Sequence, residues 1–237
     1  MKPVYKRVLL KLSGEGLMGN QAFGMSPDVL KSLALQLKSV HEAGVELGVV
    51  VGGGNIFRGA KEATKGMDRT VADQVGMMAT LMNALCLQNA LEREGVAARV
   101  LSGLSVPQAC ENYVYRRAMR HLEKGRVVIF AGGTGNPYFT TDTGAVLRAS
   151  ETGCEVVLKA TQVDGVYTAD PKTNPNAKRY DSISYDEVIQ RQLRVMDLTA
   201  VALAKENNIP ILVFSQHTPN ALEDIIQGKG SFTIIKN

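Results

Sequence analysis

The chain has 237 residues, 45% of them hydrophobic, and a formal net charge of +4, which is enough for a buried core in one α/β domain or two small ones. No block of Lys or Arg marks a nucleic-acid surface, and the scattered Cys86, Cys110 and Cys154 fit reduced thiols better than disulfides or a zinc cluster. The start of the chain lacks a signal-peptide apolar region and no apolar run reaches membrane-spanning length, so a soluble cytoplasmic protein with no membrane partner is expected.

Strands and helices alternate along the chain. Residues 7–12 read as a strand that carries Lys11 into Ser13-Gly14. A helix is expected over 27–43, started by Ser26 as cap with Pro27 in the first helical position and ended by Gly44. The β-branched run 45–51 reads as a strand ending at Gly52-Gly53-Gly54-Asn55, with Arg58 four residues after Gly54. Helix 68–94 follows, closed by Gly95, then strand 97–101, helix 107–123 and strand 126–131. Next comes Gly132-Gly133-Thr134-Gly135-Asn136-Pro137-Tyr138-Phe139-Thr140-Thr141-Asp142, which opens a helix over 141–152. The remaining expected elements are strand 155–159, helices 184–191 and 196–207, strand 210–214, helix 219–227 and strand 231–235. The polar stretch 164–182, with Pro171 and Pro175, reads as an ordered excursion or a partly mobile loop. Such alternation implies a mainly parallel sheet with helices on both faces. One domain over 1–237 is expected, with two functional halves meeting near residue 150.

Three glycine loops each follow a strand. Glycine permits tight turns and leaves backbone N–H groups uncovered. A helix N-terminus adds free N–H groups and a dipole that favours anions. Open parallel sheets bind ligands at the carboxyl ends of their strands, so three such loops, two with a basic residue, suggest a site for several phosphates. Gly14-Glu15-Gly16-Leu17-Met18-Gly19 matches GxGxxG, yet the next helix begins near Ser26, and the second strand ends in glycines rather than in the acidic residue a ribose needs. A flexible surface loop is the expectation for 15–24. Neither a P-loop nor the protein-kinase motifs occur.

Several side chains invite a chemical role. Lys11 can neutralise charge on a transferring phosphoryl group, a reaction that needs positioning and charge stabilisation above covalent chemistry. Arg58 offers a planar fork for phosphate oxygens. Asp73 can accept from a sugar hydroxyl or simply favour a helix N-terminus. Met77 to Met82 reads as core or subunit contact. After Lys159, Tyr167 can pack on a purine, and Asp164 or Asp170 can face a ribose or a metal-bound water, or Asp164-Gly165 is an ordinary turn. His41, His121 and His217 sit in no motif and are expected at the surface.

Taken together, Lys11-Leu12-Ser13-Gly14, Gly52-Gly53-Gly54-Asn55 with Arg58-Gly59, the run 134–142 and the run 163–171 resemble the bacterial UMP kinases of the amino-acid-kinase superfamily, in order and over almost the whole chain. The run 134–142 and Met196-Asp197-Leu198-Thr199 are closer to UMP kinases than to the acetylglutamate and carbamate kinases. The resemblance implies transfer of a phosphoryl group from MgATP to UMP, an α/β/α sandwich of about eight strands, and a homohexamer. By position it implies that Gly53, Asp73, Thr134, Gly135, Asn136, Pro137, Tyr138, Phe139, Thr140 and Thr141 hold UMP. Lys11, Leu12, Ser13, Gly14, Gly54, Arg58, Thr161, Tyr167 and Asp170 would serve ATP. Lys11, Arg58, Asp142 and Lys159 would be catalytic, with Mg²⁺ arriving with ATP and no metal-ligating residue assigned. It further implies GTP activation through Gly19, Asn20, Gln21, Ala22, Phe23 and Gly24, and UTP inhibition. Gln162 departs from the family, where lysine is common. The competing expectations are a relative that phosphorylates a carboxylate or carbamate, and a non-catalytic uridine-nucleotide sensor on the same fold.

Overall fold

Period-two burial explains the centre of the molecule. In the computed structural model, which describes residues 2–57, 66–171, 173–193 and 195–237, β1 (Arg7–Leu12) is buried on both faces. Val8, Leu10 and Leu12 join one apolar cluster, while Leu9 joins the other. β2 (Glu46–Val51), β5 (Val127–Ala131) and β6 (Val156–Thr161) repeat this split. Strands buried on both faces read as continuous apolar runs, as parallel strands under two helical layers must.

Beside these lie β3 (Ala98–Ser102), β4 (Glu111–Asn112), β7 (Ser182–Ile183), β8 (Ile211–Ser215) and β9 (Thr233–Ile235). The sheet runs β4-β3-β5-β2-β1-β6-β8-β9-β7, with every pair parallel except β8–β9. The first five strands of the chain lie on one side of the β1/β6 junction and the last four on the other. This reversal of strand order is the kind of crevice where open α/β sheets take ligands.

One helical layer holds α1 (Pro27–Glu42), α2 (Arg69–Arg93) and α7 (Ala221–Ile226). The other holds α3 (Tyr115–Glu123), α4 (Thr141–Thr152), α5 (Tyr185–Gln190) and α6 (Leu198–Glu206). The caps explain the boundaries. Ser26 accepts from Val29 N, and Pro27 occupies the first turn of α1; Asp68 accepts from the N–H groups of Thr70 and Val71 to start α2. The three-layer α/β/α expectation holds, with nine strands among the described residues where about eight were expected.

Three expectations need correction. The helix expected over 107–123 begins only at Tyr115, because Glu111 and Asn112 pair with Leu101 and Ser102 as a sheet edge. The loop expected over 15–24 starts as a 3-10 turn at Gly14–Leu17, with Leu17 buried in the core and Gly24 N donating to Asn55 O. His121 is buried, held between Glu111 and an Arg126 guanidinium that donates to its Nδ1. The excursion after β6 folds back on itself: Tyr167 bridges Arg179, and Tyr180 N donates to Val166 O.

Candidate functional site

Lys11 and Lys159 are partners in register on the adjoining parallel strands β1 and β6. Alternation therefore turns both side chains to the same face, near the carboxyl ends of the strands. Asp142, in the first turn of α4, lies between them. Its Oδ1 is 2.7 Å from Lys11 Nζ and its Oδ2 accepts from Lys159 Nζ at 2.6 Å. All three side chains are buried. The Lys11 contact is an ion pair whose angle misses hydrogen-bond alignment, so Oδ1 has compensating charge without an aligned donor.

Burial opposes the Asp142 carboxylate, but the charges of Lys11 and Lys159 outweigh it and hold the carboxyl below the ordinary carboxylate value. Burial pulls the Lys159 ammonium below the usual lysine value; Asp142 recovers part of that loss and the like charge of Lys11 adds to it. Two cations share one anion. The cluster thus holds a positive excess at the strand ends, in surroundings of low polarity where charge acts strongly.

The glycine loops close around this cluster. Gly14 and Gly52 approach so closely that a Cβ on Gly14 would sit 2.4 Å from Gly52 O and Asn55 Oδ1. Asn55 is buried and exchanges amide hydrogen bonds with Asn83 at 2.9 and 2.8 Å, while Asn83 Nδ2 also donates to Gly52 O at 2.6 Å. Thr80, one turn earlier on α2, accepts from Gly132 N at 2.8 Å. Thus one face of α2 anchors both the 52–55 and the 132–135 loops. In the latter, Gly135 has φ +83° and its Cβ position would lie 2.9 Å from Gly103 O, which leaves room for no side chain.

Asp73 reaches across from α2. Its Oδ2 accepts from Tyr138 N and from Arg69 Nε, both at 2.8 Å. Tyr138 is a non-glycine residue at φ +69°, with Arg69 above its ring at 5.5 Å. A left-handed tyrosine stores about 1–2 kcal/mol of strain, and the Asp73 bond holds it. Thr140 caps α4 by accepting from Asp142 N and donates its hydroxyl to Asp197 Oδ2. Asp197 stands at the cap position of α6 yet makes no cap bond there. Asp142, Lys159, Met196 and Asp197 line a cavity of about 420 Å³.

Of the residues expected from sequence, Lys11, Asp142 and Lys159 meet directly. Leu12, Ser13 and Gly14 continue β1 into the 3-10 turn, and Gly53 packs so close to α2 that a Cβ would come within 2.9 Å of Ala79 Cβ. Asn136 bonds Thr134 within the loop, and Phe139 is exposed. Thr161 ends β6, with its hydroxyl bonded to Val163 O, and the Tyr167 hydroxyl donates to Asp164 Oδ1; Asp170 N-terminally flanks the turn that receives bonds from Thr173 and Asn174. Thr161 and Tyr167 make no hydrogen bond or ion pair with the lysine cluster among the described residues. Of 19–24, Gly19 and Asn20 border a second cavity on the opposite face of the sheet. Arg58 lies outside the described residues.

Sequence reasoning gave no role to Thr80, Asn83 or Asp197. Thr80 and Asn83 are polar residues three apart inside an otherwise apolar helix face, which is the pattern of a buried hydrogen-bonding site. Asp197 stood in a quoted motif, and its misuse as a cap is visible only in three dimensions.

Comparisons with known proteins agree with this geometry. The model of the Amino acid kinase family matches residues 6–215. A uridylate kinase of Paramagnetospirillum magneticum is 57% identical over 98% of this chain and 97% of its own length; one from Cereibacter sphaeroides is 53% identical over 98% and 94%. Among solved structures, a UMP kinase from Bacillus anthracis superposes with a TM-score of 0.94 at 38% identity, covering 98% of this chain and 96% of that one. The uridylate kinase from Archaeoglobus fulgidus does so at 0.75 and 29%, covering 96% and 99%. The chain belongs to the amino acid kinase family, in its uridylate kinase branch.

Proposed function

We propose that this kinase transfers the γ-phosphoryl group of MgATP to UMP, giving ADP and UDP. The observation that carries this reading is the Lys11–Asp142–Lys159 chain, set at the strand ends among glycine loops. Phosphoryl transfer puts charge on the equatorial oxygens of the moving group, so fixed cations in a site of low polarity lower its barrier. Lys11 faces the transferring group and Lys159 assists from the ATP side. Asp142 keeps both ammonium groups in place. UMP presents a phosphate oxygen that is already anionic, so no side chain need remove a proton.

On this reading Gly53, Asp73 and the run 134–141 hold UMP, with Asp73 near the ribose. Gly14, Gly54, Thr161, Tyr167 and Asp170 serve ATP. The lysines occupy both Asp142 oxygens, and among the described residues no three His, Cys, Asp or Glu side chains group as a metal cage. On this reading the Mg²⁺ ion arrives as part of the MgATP substrate. Homohexamer formation, GTP activation through 19–24 and UTP inhibition extend the same proposal. The exposed Val71, Val75, Met78 and Met82 along α2 support self-association. The Asn136-Pro137-Tyr138-Phe139 segment, with no basic residue for a carboxylate, favours a nucleotide acceptor.

The test is ADP release from MgATP with UMP, CMP, dUMP, acetylglutamate and carbamate in parallel. Turnover confined largely to UMP is expected. Turnover only with carbamate or acetylglutamate would discard the acceptor, and no turnover alongside tight UMP or UTP binding would leave a sensor.

A further inference from the structure

A buried arginine stands beside the 132–135 loop and has no part in the site described above. Arg148 lies in the second turn of α4 and is only 5% exposed. A guanidinium is costly to bury unless its charge and its donors are met. Its Nη1 donates to Glu151 Oε2 at 2.6 Å. Its Cζ stands over the Tyr113 ring, 3.7 Å from the ring centre, a close cation–π contact. Tyr113 is itself fixed. Its hydroxyl donates to the same Glu151 oxygen at 2.5 Å, its N–H donates to Ser102 O at 2.8 Å, and its ring meets Phe130 edge-on at 5.9 Å.

The remaining contact reaches the loop. Arg148 Nη2 donates to Gly133 O at 3.5 Å, the outer limit of a hydrogen bond. One turn earlier on the same helix face, Gly144 lies against the same peptide: a Cβ there would come 3.2 Å from Gly133 C and 3.3 Å from Gly133 Cα. The carbonyl and the next N–H of a trans peptide point in opposite directions. With Gly133 O drawn to the guanidinium, the Thr134 N–H leaves the opposite edge of the peptide. That N–H makes no hydrogen bond among the described residues.

We infer that Arg148 is a positioning residue for the phosphoryl acceptor: its guanidinium, anchored by Glu151 and Tyr113, turns the 133–134 peptide so that the Thr134 N–H is presented to UMP. Arginine suits this task because its donors lie in one rigid plane. Tyr113 sets that plane and Glu151 sets the rotation within it, so the direction of Nη2 is fixed before a ligand binds. Thr80 already holds Gly132 N, and Gly103 packs against Gly135. The peptide between Gly133 and Thr134 is thus the part of the loop whose orientation is left to α4. A donor held in place in advance binds and stabilises its ligand without reorganisation. The inference rests on the reading of 134–141 as the UMP loop and extends it to a residue outside that loop.

Steady-state kinetics of the full chain, with UMP and MgATP varied separately, test it, and the thermal midpoint of every variant is measured alongside. Arg148→Met keeps an apolar stem against Tyr113 and removes the donors. It should raise the KM for UMP about tenfold, the scale of one misplaced hydrogen-bond donor, and leave the KM for ATP within about twofold. Arg148→Lys keeps a charge beside Glu151 but not the fixed second donor. It should show the same KM pattern with a smaller thermal loss, and it carries the test if Arg148→Met folds poorly. Leu122→Ala cuts the same apolar layer from α3 and should lower the midpoint with the UMP KM unchanged. The proposal is overturned if the UMP KM stays at the parent value in both Arg148 variants, if Arg148→Lys restores it in full, or if Leu122→Ala raises it as far at equal thermal loss. Normal parent turnover with an unmoved UMP KM removes Arg148's part alone. A parent chain that does not turn over UMP, or a rise confined to the ATP KM, overturns the reading of the loop and the proposal with it.

Discussion

Lys11 and Asp142 touch, yet removing each should have a different signature. Lys11→Ala deletes one of two cations, and Asp142 keeps Lys159. It should fold and lose about 10²–10³-fold in turnover, the scale for one preorganised stabilising group; turnover near the parent level would refute Lys11's part. Asp142→Asn leaves two buried ammonium groups facing each other without the carboxylate that contacts both, with only the more distant charge of Asp197 acting on Lys159. Breaking a buried pair from one side costs about 3–5 kcal/mol, so this variant should lose both turnover and thermal stability. The acid limb of stability separates the two effects. Asp142 has its carboxyl held below the unfolded value, so its contribution is complete above about pH 4, the unfolded carboxylate range, and is lost as pH falls through the lower folded value. The stability of the parent chain should therefore fall more steeply below about pH 4 than that of Asp142→Asn, and equal slopes in acid denaturation would argue against the clamp. Lys11 was legible in sequence because a lysine ending an apolar strand is conspicuous. Its bond to Asp142 was not, since strand register and helix placement bring together residues far apart in the chain.

At the level of elements, α2 does more than cover the sheet. Asn83 holds Gly52 O and Asn55, and Thr80 holds Gly132 N, so a single helix sets the spacing of two loops. Asn83→Ala would leave Asn55 Oδ1 and the Gly52 carbonyl without a donor in the core, while Asn55 Nδ2 keeps Gly24 O, at about 1–3 kcal/mol for each buried group left unsatisfied. Its thermal midpoint should drop, and its KM for UMP should rise more than its KM for ATP, because the loop proposed to hold the acceptor hangs from the same helix. A change confined to the ATP KM would reverse the assignment of the loops. Most strands and helices were visible in the sequence as apolar runs between glycine and cap signals. The exceptions are instructive. The segment 107–123 was expected to be helical throughout, but a two-residue pairing of Glu111 and Asn112 with β3 delays the helix to Tyr115. Likewise β7 spans only Ser182 and Ile183, too short for any periodicity, and exists because β9 offers it a partner.

For the whole molecule, composition and alternation already implied helices on both faces of a parallel sheet, while the antiparallel β8–β9 contact was beyond their reach. Assembly is open to the same kind of reasoning. Val71, Val75, Met78 and Met82 follow one face of α2 and remain exposed, a spacing of three and four that forms a continuous stripe. Met78→Glu with Met82→Glu should reduce the mass measured by sedimentation if that stripe joins chains, while an unchanged mass would move the contact elsewhere. Another consequence follows from Lys11 and Lys159 standing level on β1 and β6. Sliding β6 by one residue would send Lys159 into the layer of α1 and α7 and drive Leu158 or Ala160 against Asp142. An ammonium group would then be stranded in hydrocarbon with its counter-ion on the far side of the sheet. The charges proposed for chemistry therefore also act as a folding checkpoint: a misaligned sheet is penalised before the chain ever meets a substrate.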